Sequence, residues 1–293
     1  MDARTFVAGL EPEVKAALTA RSDAAGLRHL ALHAGAILAV GALIAAGVPG
    51  WGLLLPVQGV LIVFLFTLEH EAVHKTPFAS GRLNDWVGRG CGVLLLLPFE
   101  WFRYFHLAHH RWTNIAGQDP ELDGSEISTR RGWLWHVSGL PYWMSGVGLL
   151  WALASGRGDA RYLPQGGMGR IRAEARWMII GYAAAAVVPG VIWVWVLPVL
   201  IGQPVLRLYL LAEHGDCPKV AEIFANTRTV FTNRIVRFLA WNMPYHVEHH
   251  VYPAVPFHQL PRLHGLMAAE LRVTAQGYAA FTKAYLDRRG QDR

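Results

Sequence analysis

The chain has 293 residues, 53% of them apolar and only 16% charged, with 12 tryptophans and a mean hydropathy of +0.25. A soluble domain carries about 25% charged residues, so this balance excludes an ordinary soluble protein and indicates a membrane protein with interfacial aromatics. The net charge of +6 rests on arginine, with lysine only at Lys15, Lys75, Lys219 and Lys283. It fits charge facing anionic headgroups, and no basic stripe with interleaved aromatics points to nucleic acid.

Residues 1–27 are polar and helix-prone (EPEVKAALTARSD). They lack the pattern of a signal peptide, which predicts a cytoplasmic N-terminal segment. Apolar runs at 30–48 and 51–68 meet at Val48-Pro49-Gly50. Each approaches the roughly 20 residues that span a bilayer, so they predict a helical hairpin. The run 133–154 is rich in Trp and Tyr and interrupted by Gly and Pro. If it crossed, Arg157, Arg161, Arg170, Arg172 and Arg176 would fall on the far side, against the tendency of short basic loops to stay cytoplasmic. The expectation is therefore an interfacial 133–154 and a second hairpin within 177–212, broken at Pro189-Gly190.

The expected fold is an all-α integral membrane protein of two transmembrane helical hairpins, about four spans. Residues 69–176 and 213–293 form a cytoplasmic helical cap. One domain covers 1–293, with its core at 30–265 and a cytoplasmic tail at 266–293. Cys91 and Cys217 are the two cysteines, with no CxxC, which argues against disulfide scaffolds, thiolate zinc sites and iron–sulfur clusters.

Three histidine clusters follow the apolar runs: 70-HEAVH-74, 106-HLAHH-110 and 246-HVEHH-250. On a helix, positions i, i+3 and i+4 share a face, so each cluster aims its imidazoles at one locus. HEAVH also fits the H-E-x-x-H pattern of zinc proteases, in which Glu71 would be the general base. That reading leaves six histidines without a role. Eight imidazoles, His70, His74, His106, His109, His110, His246, His249 and His250, exceed one metal's needs and suit two metals with open positions. Imidazole is a good iron ligand.

With these clusters, and above all 242-NMPYHVEHHVYPAVPFHQLP-261, the sequence resembles the membrane fatty-acid desaturase superfamily over residues 60–265. The resemblance implies two transmembrane hairpins with three histidine boxes on the cytosolic side, holding two non-haem irons that use O2 as cosubstrate. It also implies a further ligand where the fourth span ends, matched by His214 in 211-LAEHGDCP-218. No catalytic residue separate from the metal ligands is expected.

Neutral imidazoles leave the metal charge uncancelled, which makes Glu71, Glu213, Glu248 and Asp119 candidate orienters of the ring N–H groups. The segment 93-VLLLLPFEWFRYF-105 leads into His106 and reads as a tunnel wall or a membrane-dipping helix, with ordinary core packing the more economical account. His29 and His33 repeat the i, i+4 spacing but lack a box context. His136, His258 and His264 read as surface or capping histidines.

The resulting expectation is insertion of a double bond into a fatty-acyl chain, in a bacterial inner membrane with the active site on the cytoplasmic side. Electrons would come from a separate ferredoxin- or rubredoxin-like donor. Hydroxylation or ketone formation on a lipid or hydrocarbon by the same iron site is the alternative, and the zinc protease a remote one.

Overall fold

The computed structural model describes residues 2–124 and 126–289. Two short helices, α1 (Ala3–Gly9) and α2 (Pro12–Leu18), open the chain. Ser22 then caps α3 (Asp23–Ala45), its hydroxyl accepting from the Ala25 N–H. Gly47 and Gly50, at φ of 62° and 78°, turn the chain back where a side chain would be strained. It returns through α4 (Leu54–Val63) and α5 (Leu65–Val73), which together form the apolar stretch Trp51–Val73.

Next come α6 (Gly81–Leu95) and α7 (Phe99–Trp112). The pair α8 (Arg130–Val137) and α9 (Leu140–Ala154) is bent by 57° around Gly139, with Pro141 opening the second helix. Then follow α10 (Met168–Ala185), a π-helical turn at Ile192–Val196 and α11 (Leu197–His214). Five further helices complete the chain: α12 (Ile223–Asn226), α13 (Arg234–Leu239), α14 (His246–Val251), α15 (Leu260–Met267) and α16 (Tyr278–Arg288). Residues Thr229–Val230 and Thr274–Ala275 form a two-residue parallel ladder, a small departure from an all-α chain.

Among the described residues three stretches are long and apolar enough to cross a membrane: Pro12–Ala45, Trp51–Val73 and Ile192–His214. The break expected at Pro189-Gly190 is present, but α10 does not qualify as the partner span. Arg170, Arg172, Glu174 and Arg176 occupy its first half, leaving too short an apolar remainder. The fourth candidate is the bent pair α8–α9, which covers the run read from sequence as interfacial.

The helices α4 and α11 meet backbone to backbone. A Cβ on Gly59 would lie 2.1 Å from the Pro198 carbonyl oxygen, and one on Gly202 would lie 2.4 Å from the Gly59 carbonyl carbon. Small residues permit this approach where lipid offers no hydrophobic gain from helix association. The two chain ends also pack on the core. Phe6 and Leu18 join Met243, Val247 and Val251 beneath α14, while Phe281 and Tyr285 of α16 pack with Ala212 and Val230.

Candidate metal centre

Four helices deliver nine histidines to one place. His70 and His74 lie at the end of α5, His106, His109 and His110 near the end of α7, His214 at the last position of α11, and His246, His249 and His250 in α14. Left-handed residues surround them: Lys75 follows His74, Asn114 follows the second box, Asp216 follows His214, and Trp241 and Asn242 precede the third box, all with φ of 50–61°. Non-glycine residues rarely adopt this conformation, and it clusters where surrounding structure over-determines the backbone. Here it turns the chain sharply after α5, α7 and α11 and before α14.

The imidazole nitrogens fall into two groups. Those of His70, His74, His106, His110 and His249 lie within 4.8 Å of one another, as do those of His109, His214 and His250. His246 joins the second group, its Nε2 lying 3.0 Å from His214 Nε2. Each H-x-x-H-H box is therefore divided. The i and i+4 residues His106 and His110 serve the first group and His109 the second, whereas His246 and His250 serve the second and His249 the first. The groups abut, with the His110 and His250 rings stacked at 4.1 Å and 9°.

These nitrogens fit metal ions better than they fit one another. His74 and His106 approach at 2.9 Å, His109 and His214 at 3.2 Å, and His110 and His249 at 3.2 Å, always Nε2 to Nε2. For metal–nitrogen bonds of about 2.0–2.1 Å, two ligands at right angles stand about 2.9 Å apart. Both nitrogens of His70 and the Nε2 of His250 are buried without a hydrogen-bond partner. Buried polar groups are ordinarily satisfied, so these atoms call for an occupant.

Three of the four expected carboxylates stand beside the histidines. Asp119 takes the His109 Nδ1–H at 3.0 Å on both oxygens and also accepts from the Asn114 N–H at 2.7 Å. Glu213 lies 3.6 Å from His246 Nδ1, and Glu71 lies 3.6 Å from His249 Nδ1. Glu71 is fully buried, and its other oxygen accepts from Thr76 Oγ1 and the Phe257 N–H. Burial keeps it from the open water that a protease glutamate must activate.

Glu248 turns away from the boxes to bind Thr229 and His264, so His264 is a partner of this carboxylate rather than a surface residue. Sequence reading missed three contacts: Thr113 Oγ1 at 3.2 Å from His250 Nδ1, the Asn226 carbonyl at 3.1 Å from His214 Nδ1, and Glu121 at 3.6 Å from His109 Nδ1. Only Thr113, inside HRWTN, had any local signal.

Burial pushes His106, His110, His246, His249 and His250 well below the usual imidazole range, and His74 down to about 3; neighbouring imidazoles add to the effect. The rings are thus held neutral, the form that binds metal. Burial acts the same way on His109, but the Glu121 and Asp119 carboxylates outweigh it and raise this one imidazole.

His29 and His33 stay outside the cluster. His29 Nε2 meets the Phe238 carbonyl at 2.8 Å; His33 bonds the Leu61 carbonyl through Nε2 and accepts from Trp241 Nε1 at 3.3 Å. Asn242 neither caps α14 nor faces the cluster; it donates to the Phe257 carbonyl.

A cavity of about 750 Å³ opens onto the histidines, with His70, His106, His109, His214 and His246 in its wall. Leu96, Leu97, Trp101, Phe102 and Phe105 line its apolar part, so the segment 93–105 is indeed wall as well as core. His136, expected at the surface, lines it too.

The family model for fatty acid desaturases matches residues 46–282. The chain is 24% identical over 250 residues to the sn-1 oleoyl-lipid 12-desaturase of Arthrospira platensis, covering 71% of this chain and 66% of that protein. It is 25% identical over 248 residues to the sn-1 oleoyl-lipid 12-desaturase of a Picosynechococcus species, covering 72% and 67%. To the chloroplastic omega-6 fatty acid desaturase of Spinacia oleracea it is 22% identical over 224 residues, covering 69% and 50%. The chain thus spans from half to about two-thirds of the length of these relatives. With a match over most of its length and histidine nitrogens gathered in two groups beside an apolar cavity, the chain belongs to the fatty acid desaturase family.

Proposed function

We propose that the protein is an O2-dependent oxidoreductase that introduces a double bond into a fatty-acyl chain, working at a bacterial inner membrane with its site on the cytoplasmic side. The observation that carries this reading is the pair of abutting histidine groups in the wall of an apolar cavity. His70, His74, His106, His110 and His249 would hold one iron and His109, His214, His246 and His250 the other. When bound, the irons supply the O2-dependent oxidation of an unactivated C–H bond, which no side chain can perform.

The chain's own residues do the rest. Asp119 holds the His109 ring through Nδ1 and the Asn226 carbonyl holds His214, which leaves Nε2 of each directed at the shared locus. Trp101, Phe102 and Phe105 would pack along an acyl chain and exclude water from the reacting carbon. A ferredoxin- or rubredoxin-like donor would be steered to the protein by opposite charge, given its net charge of +6.

Lipid analysis of a bacterial host expressing the gene tests the reading. New unsaturated acyl chains are expected, and hydroxylated or keto products without them would overturn desaturation in favour of the alternative outcome at the same site.

A further inference from the structure

Three arginines gather at the end of α9. Arg172 donates from Nη2 to the Gly156 carbonyl at 3.1 Å, and Arg176 from Nε to the Ala154 carbonyl at 2.9 Å. Arg157 donates from Nε to Ser155 Oγ at 3.2 Å. Here α10 packs against α9, and Gly156, at φ of 81°, turns the chain away from the helix.

A helix C-terminus draws cations, but it offers only about half a negative charge. The bonds to α9 use few of the donors that three guanidiniums carry, and Arg172 Nε is buried with no acceptor. Among the described residues none of the three arginines forms an ion pair. Glu174, also on α10, accepts from the Glu100 N–H at 2.7 Å and pairs with Arg89 at 3.5 Å. Asp159 is exposed and accepts from the Ala160 N–H at 2.9 Å. Even with Asp159 counted in full, two positive charges remain.

The flanks of the cluster say which anion suits it. Trp151, one turn before the end of α9, is 62% exposed, and Trp177, next to Arg176, is 71% exposed. Beyond them the two helices present exposed apolar side chains, Met144 and Val147 on α9 and Ile180 on α10. In a membrane protein such a surface faces hydrocarbon, and exposed tryptophans mark the headgroup level. The arginines therefore stand at the depth of lipid phosphates, whose oxygens a guanidinium matches well.

We propose that α9 and α10 form a binding site for an anionic glycerophospholipid. Its phosphate lies on Arg157, Arg172 and Arg176, and its acyl chains run along Met144, Val147 and Ile180. Gly146 and Leu149, on the opposite face of α9, line the cavity beside the histidines. The lipid thus braces one wall of that cavity from outside.

Native mass spectrometry of the purified full chain tests the site, starting from nonionic detergent micelles that hold dioleoyl phosphatidylglycerol and dioleoyl phosphatidylcholine in equal amounts. Two uncompensated charges predict retention of phosphatidylglycerol over phosphatidylcholine by roughly ten- to a hundredfold. Arg157→Gln, Arg172→Gln and Arg176→Gln together should abolish the preference. Arg176→Gln alone, at an exposed position, should lower it about fivefold. Arg21→Gln, Arg82→Gln and Arg262→Gln together remove the same charge from exposed positions elsewhere and should leave it intact.

Equal retention of the two lipids by the unaltered protein overturns the site, whether or not any variant folds. An equal loss of preference in both triple variants also overturns it, since net charge alone would then account for the binding. So does displacement of phosphatidylglycerol by an equal concentration of inorganic phosphate, which would assign the arginines to a soluble anion. A preference that survives unchanged in folded Arg176→Gln or in the folded cluster variant places the lipid elsewhere and overturns it too.

Discussion

Replacing Gly202 by alanine tests the link between helix packing and the histidine cluster. The new Cβ would stand 2.4 Å from the Gly59 carbonyl carbon and 2.5 Å from its oxygen, where ordinary contact begins at 3.4 Å. All the atoms it meets are backbone, so no side chain can swing aside, and α4 and α11 must part by about 1 Å, the kind of overpacking that costs roughly 1–3 kcal/mol. Alanine returns up to about 1 kcal/mol of helix propensity. The collision wins because relief requires moving two whole helices, and the expected net loss is about 2 kcal/mol.

That loss corresponds to a fall of roughly 4–8 °C in melting temperature for a chain of this size. Because α4 runs on into α5 with His70 and His74, while α11 ends at His214, bound iron should fall as well. Thermal unfolding in detergent followed by tryptophan fluorescence, with iron measured per chain, reads both effects. Gly181→Ala is the control: its Cβ meets nothing within 4 Å on α10, so it should leave the melting temperature unchanged or slightly raised. A Gly202→Ala protein that melts no lower than the unaltered one and keeps its iron would refute the reasoning.

Three further outcomes follow from the site. His249→Ala should lower iron content and abolish product formation, whereas His29→Ala, which loses contacts with Phe238, Trp241 and Phe257 outside the histidine cluster, should keep its iron while melting lower; equal iron loss in both would remove the distinction. Asp119→Asn keeps the shape but weakens the hold on His109, and should weaken iron binding by about 10- to 100-fold in a chelator competition. The metal-free protein should lose stability in acid. His74, His106, His110, His249 and His250 are depressed in the folded chain, so the unfolded chain binds more protons as pH falls below about 6.5. Their stabilising contribution is complete above that pH and declines down to the folded values, about 3 for His74. A melting temperature constant from pH 7 to pH 5 would contradict this.

The parts of the site legible in the sequence were those encoded locally. Helical spacing alone puts the imidazoles of HLAHH and HVEHH on one face, and the apolar runs before and after Val48-Pro49-Gly50 read directly as a hairpin. The division of each box between two groups was not legible, since it depends on how α7 and α14 face each other across more than a hundred residues. The same holds for Thr113 beside His250, while the Asn226 carbonyl beside His214 depends on a loop that folds back twelve residues later and carries no motif. Glu248 misled because its place in the box suggests a role beside the histidines, whereas Thr229 and His264, far along the chain, draw it the other way. α10 misled because its apolar half alone resembles a span until the arginines of its other half are counted as the same helix.

The division of the boxes also bears on how the centre fills. Since α7 and α14 each contribute to both groups, an ion captured by one group under the proposed two-iron reading would immobilise the helices that carry ligands for the other. Part of the ordering entropy would then already be spent when the second ion arrives, a positive coupling without any contact between the two ions. A population of chains given half their complement of iron would accordingly sort toward full and empty molecules rather than singly loaded ones.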